Sequence, residues 1–215
     1  MAVVRTGLFW LIAILSLGVA LASLRYLAPG APGGSPSILA NSFTRLGALT
    51  AHAGFASMAL LIGPLQFVRG LRRRWPRAHR WIGTSYVLAC LCGGSAGLLL
   101  AFGTTSGPIG TAGFGALAVL WLFCTGQAWR LARAGDFARH ERWMIRSFAL
   151  TLAAVTLRIY LPLAGALRLD FNEAYRAIAF LCWVPNLAIS EILLATGFNT
   201  RSRDGATPMA LEGSA

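Results

Sequence analysis

The chain has 215 residues, of which 56% are hydrophobic and only 12% charged, about half the charge of a soluble domain of this size. Its mean hydropathy of +0.63 leaves too little polar surface to solvate a globule, which excludes an ordinary soluble domain. The net charge of +12 and pI of about 11.3 would point to nucleic acid in a soluble protein, but the arginines stand in loops beside apolar blocks, so the partner is a lipid bilayer and not nucleic acid.

Six apolar blocks follow in chain order, at 7–27, 46–68, 81–102, 109–131, 143–163 and 174–196. Each is near the ~20 residues that carry a helix across a bilayer. The pattern predicts an all-α, polytopic transmembrane bundle of about six helices. The first block has a second reading as a signal peptide, with Arg5 as its basic end and Ala20-Leu21-Ala22 as a cleavage site. Its apolar run is longer than the ~7–15 residues of such a segment, which favours a retained helix. Residues 1–198 form one transmembrane domain on this reading, and 199–215 a disordered cytoplasmic tail.

The loops set the orientation. The connections from Arg69 to Arg80 and from Arg130 to Arg142 are strongly basic and fall on the same side by parity. The positive-inside rule makes that side cytoplasmic, with both termini, and Arg5, Arg201 and Arg203 agree. The outer loops differ, with a flexible uncharged linker at 28–36 and a last loop carrying Asp170 and Glu173.

Two hairpins resemble one another. Gln66 is followed by Arg69, Arg72 and His79, and Gln127 by Arg130, Arg133 and His140 at the same spacings. Helices two and three thus read as a repeat of helices four and five, and functional sites in membrane folds often lie between repeats. Arg and Trp gather at any membrane interface, which explains the shared Arg-Trp pairs but less of the Gln-to-His spacing.

Polar groups inside a membrane are costly and face a partner or a cavity. His52, Arg146, Arg158, Asn186 and Glu191 are the candidates. In a structural reading Arg146 pairs with Glu191, and Arg158 is satisfied by carbonyls, Tyr160 or snorkelling. In a functional reading His52 and Arg158 line an outward pocket for an anion, a quinone headgroup or a proton. On the second helix His52, Ala56, Ala59, Gly63 and Gln66 form a stripe of small residues between polar ends, suited to close helix contact. Gly93, Gly94 and Gly97 do the same on the third. Cys90, Cys92, Cys124 and Cys182 sit inside apolar blocks and read as packing residues.

His79 and His140 each stand just before the cytoplasmic start of a helix, the third and the fifth, and so share a depth. A bis-imidazole b-type haem needs two histidines at one depth on facing helices. Arg77, Arg80, Arg139 and Arg142 are then candidate partners of its propionates. No metal other than haem iron is indicated, and no catalytic residue is legible. The arrangement is similar to one half of the cytochrome b561 pattern, in which histidines on helices two and four and on three and five hold haems. It departs from that pattern because the fourth helix has no histidine to partner His52.

An ordered set of motifs resembles a second family more closely. Met58-Ala-Leu-Leu-Ile-Gly-Pro-Leu-Gln-Phe67, Arg77-Ala-His-Arg-Trp-Ile-Gly-Thr-Ser-Tyr86, His140-Glu-Arg-Trp-Met-Ile-Arg-Ser-Phe148 through Arg158, and Cys182-Trp-Val-Pro-Asn186 with Glu191 resemble the domain of unknown function 2306 family. That resemblance implies a protein of the bacterial cytoplasmic membrane and supplies no activity. It places His52, His79, His140, Arg158, Asn186 and Glu191 at motif positions. Three functions remain open. They are a small membrane redox or haem-binding protein, a transporter or binder using intramembrane His, Arg and Glu, and an accessory subunit of a membrane complex.

Overall fold

A computed structural model describes residues 2–27, 43–104 and 106–196. The linker at 28–36, the tail at 199–215, and Arg201 and Arg203 lie outside the described residues. Within them, all regular structure is helical. Six spans are long and apolar enough to cross a membrane: Thr6–Leu27, Leu46–Phe67, Pro76–Ala101, Gly107–Arg133, Phe137–Ala166 and Phe171–Ala195.

The third and fifth spans begin five and six residues before the apolar blocks at 81 and 143. Their first turns are polar and arginine-rich, yet helical, because Pro76 and the Asp136 cap start them. Proline suits the first helical position, and the Asp136 carboxylate accepts from the Arg139 amide at 3.0 Å. His79 and His140 therefore do not stand before their helices. Each lies in the first turn, three residues after Pro76 and Phe137 respectively.

The spans pack in sequence, two on three, three on four and four on five, with span six against four and five. Span one lies along span two and reaches span five. The core is where these meet, around Tyr86, Cys90, Trp121, Phe148 and Cys182. Large apolar residues such as Ile14, Leu99, Phe102 and Ile192 face outward, as the bilayer requires. Cys90, Cys124 and Cys182 are buried packing residues, and Cys92 is exposed.

The small-residue stripes close the bundle. A Cβ at Gly93 would stand 3.2 Å from the Ala56 nitrogen, and one at Gly97 2.8 Å from His52 Nδ1. Such close approach is what glycine permits in helix contacts. At Gly113 a Cβ would meet the Ala179 Cβ at 2.7 Å, so the fourth span presses on the sixth.

Two spans are broken. Span five breaks at Leu152, between Phe137–Thr151 and Ala153–Ala166. There the Leu152 carbonyl accepts from the amides of Val155 and Thr156 and from the Thr156 hydroxyl, a tightened turn that bends a helix. Span six breaks at Cys182–Trp183, because Pro185 has no N–H to return to the preceding turn. The Asn186 side chain instead donates to the Cys182 carbonyl at 3.0 Å, and to Thr156 Oγ1 at 2.9 Å. The two breaks are thus tied together.

The hairpins match only in part. Gln66 lies in a tight turn, Pro64–Phe67, followed by a short helix, Arg69–Arg74. Gln127 through Arg133 stays within one continuous helix. Pro64 in the first hairpin, where the second has Thr125 at the matching place, accounts for the difference.

Candidate functional site

A cavity of ≈ 1640 Å³ opens at the arginine-rich end, lined by residues of all six spans. His79 and His140 both line it, and the two imidazoles are within electrostatic reach of one another. The helix starts explain this. Each histidine sits in the first turn of a long span, at the same distance from its start, and the two spans face the same space.

The two rings are held differently. His140 Nδ1 lies 2.8 Å from the Ala128 carbonyl oxygen. A carbonyl only accepts, so Nδ1 carries the proton and Nε2 keeps its lone pair. A carbonyl fixing one ring nitrogen is the usual support of a metal-ligating histidine. His79 Nδ1 is buried and has no hydrogen-bond partner among the described residues, and the same is true of Gln66 Nε2. Gln66 also lines the cavity, with its carboxamide against Gly83.

The rim is basic, but not with the arginines expected from sequence. Of Arg77, Arg80, Arg139 and Arg142, only Arg80 lines the histidine cavity. Arg77 and Arg80 border a separate groove of ≈ 210 Å³ with Trp81 and Thr84. Arg139 is turned to solvent beside Asp136, at 3.5 Å, and Arg142 is exposed and absent from the lining. Arg69, Arg72 and Arg133 take those places on the cavity wall. Arg133 stacks over Trp129 at 5.8 Å. The matched positions Arg72 and Arg133 in the two hairpins were the signal for this. Each stands seven residues before its histidine.

The other polar candidates are engaged within the bundle. His52 Nδ1 donates to the Gly93 carbonyl at 2.8 Å and rests on Gly97. Arg158 donates to Ser23 Oγ at 2.6 Å and to the Ala154 carbonyl at 3.1 Å. Arg158 thereby joins the first span to the fifth. Arg146 grips Glu191 with two nitrogens, at 2.6 and 2.7 Å, and stacks on Trp143. Asn186 is the one member of this set on the cavity, at its deep end.

One buried network joins spans three, four and five. The Tyr86 hydroxyl contacts Ser147 Oγ at 3.0 Å and Thr151 Oγ1 at 2.9 Å. Trp121 Nε1 donates to Thr151 Oγ1, and Thr125 Oγ1 touches Ser147 Oγ at 2.7 Å. Thr151 donates in turn to the Ser147 carbonyl. With Thr125 donating to Ser147, Ser147 to Tyr86 and Tyr86 to Thr151, every hydroxyl proton has an acceptor. Tyr86 follows His79 and Gly83 on one helix face, spaced by four and three residues, so periodicity alone marks it.

A helical bundle with six bilayer-length apolar spans, and with its charged side chains gathered at the loops, is a multi-pass membrane protein. Residues 49–194 match the family described as a predicted membrane protein, domain of unknown function 2306, and the chain belongs to that family. No curated protein and no solved structure matches the chain. Among the described residues no group of three or more His, Cys, Asp or Glu side chains is placed to hold a metal ion.

Proposed function

We propose that this protein is a small redox component of the bacterial cytoplasmic membrane, holding one b-type haem between His79 and His140. The carrying observation is that both histidines line one cavity while the Ala128 carbonyl holds His140 by Nδ1, which leaves Nε2 as the ring nitrogen able to ligate. Bound there, haem iron would supply one-electron transfer between its ferric and ferrous states. The chain's part is to orient the rings, to offer Arg80, Arg69, Arg72 and Arg133 to the propionates, and to enclose the ring edge in apolar side chains such as Met144 and Phe148. A second haem at His52 lacks support. The hairpin register of 61 residues, from His79 to His140, pairs His52 with Gly113, which is filled by Ala179. The charge rule places the arginine-rich end, and with it the cavity mouth and both termini, in the cytoplasm.

A transport or binding site on His52, Arg158 and Glu191 has less support, since each of the three is bonded to a neighbour inside the bundle. The test is the visible spectrum of the protein purified in detergent. A Soret band that shifts on reduction is expected in the wild type and in His52→Ala, and is lost in His79→Ala and His140→Ala. A colourless protein that haem cannot reconstitute overturns the reading.

A further inference from the structure

The cavity is longer than a cofactor at the histidines requires. Its ≈ 1640 Å³ exceeds the ~300–1,000 Å³ of ordinary ligand pockets. From His79 and His140 it runs inward between spans one, five and six as far as Ile159 and Asn186. The walls of that extension are apolar, with Phe9, Ile12, Leu15, Leu152 and Val155 among them. Leu15, Ile159 and Ile189 are more than a third exposed on the lipid-facing surface, so the extension is open sideways to the bilayer.

At the histidine end of the cavity stand two buried polar atoms without partners among the described residues, Gln66 Nε2 and His79 Nδ1. A buried donor left unpaired is costly, so both atoms call for an acceptor that the described residues do not provide. The amide is neutral and the imidazole readily so, and each suits a carbonyl oxygen. A phosphate headgroup would be drawn instead to the arginine rim.

We infer that the cavity binds a membrane quinone, with a ring carbonyl accepting from Gln66 and His79 and the isoprenoid tail lying along the apolar extension. The choice of a quinone over a redox-inert amphiphile rests on the redox reading. The geometry needs only that His79 Nδ1 keep its proton, as it does when Nε2 holds iron. Deep in the extension, Asn186 is held by Thr156 and Cys182, which leaves the wall there apolar in effect and suited to the tail.

The test titrates decyl-ubiquinone into the full-length protein in detergent and follows tryptophan fluorescence, since Trp129 lines the cavity. Decylbenzene, which has a similar tail and no carbonyl, is the comparison ligand, and phosphatidylglycerol the competitor. Saturable quenching by the quinone is expected, with decylbenzene about tenfold weaker and Gln66→Leu weakening the quinone by a similar factor. Decylbenzene needs only the wild-type protein, so the test holds even where Gln66→Leu does not fold. Equal binding of decylbenzene, or full displacement of the quinone by phosphatidylglycerol, overturns the inference and marks a lipid groove. The Soret band is recorded on the same samples. A haem-loaded protein without quinone saturation removes this inference alone. Quinone saturation in a protein that takes up no haem removes the haem reading alone.

Discussion

The polar groups of this bundle fall into two sets that are built in opposite ways. Most of those away from the arginine-rich end are closed, the exceptions being Ser16 and Ser57, whose buried hydroxyls have no partner among the described residues. His52, Arg158 and the Tyr86 network each meet acceptors or donors from neighbouring helices. Those at the arginine-rich end are open. His79 and Gln66 each leave a buried nitrogen unpaired among the described residues, and His140 lines the same cavity. A buried polar group that is satisfied holds helices together, whereas one that is not marks where something else belongs. On the proposed haem reading, it is the shared cavity that sets His79, His140 and Gln66 apart, in a chain whose sequence shows only that both kinds are polar.

The comparison can be broken first at the glycines that close the bundle. Gly113→Leu should cost about 3 kcal/mol or more, because its Cβ meets Ala179 backbone at 2.9 Å and neither helix can yield locally. Loss of the monodisperse peak in detergent would report it. An unchanged elution profile and melting temperature would mean that spans four and six do not touch there.

A smaller effect is expected at the ion pair. Arg146→Ala should destabilise by about 2 kcal/mol, since it leaves a carboxylate without its two hydrogen bonds. The cost is moderated because the Glu191 side chain is 47% exposed. Glu191→Ala should behave alike, and the double variant should recover part of the loss in a melting-temperature cycle. Strict additivity of the two would sink the pairing.

The smallest effect belongs to the closed network. Tyr86→Phe removes a hydroxyl that touches Ser147 and Thr151, and hydrogen bonds between membrane helices are worth only about 0.6 kcal/mol on average. A melting shift of a few degrees with an unaltered Soret band is expected. Loss of the Soret band without unfolding would move Tyr86 from the closed set to the open one.

Much of the fold was legible in the sequence. Hydropathy alone located all six spans. The early starts of spans three and five were not legible, because hydropathy ends at Trp81 and Trp143 while the helix continues through an arginine-rich turn. That turn carries the histidines, so the same blind spot set them outside their helices. The break at Leu152 has no proline and depends on hydroxyl and amide groups converging on one carbonyl. For the site, His79 and His140, paired by their shared depth, both line the cavity. The arginines around them were chosen by nearness in sequence, and the helix turn directs most of those elsewhere. The Tyr86 network was not legible as a whole because its five members come from three spans, and helical spacing joins only Ser147 to Thr151 and Trp121 to Thr125.

The claim that the open set is a haem site is tested most directly by titrating haem into the detergent-solubilised wild-type protein and into a His79→Ala/His140→Ala double variant. The account predicts a Soret absorbance that saturates at one haem per chain in the wild type, and no saturable binding in the double variant. Equal binding by both proteins, or none by the wild type, would contradict it.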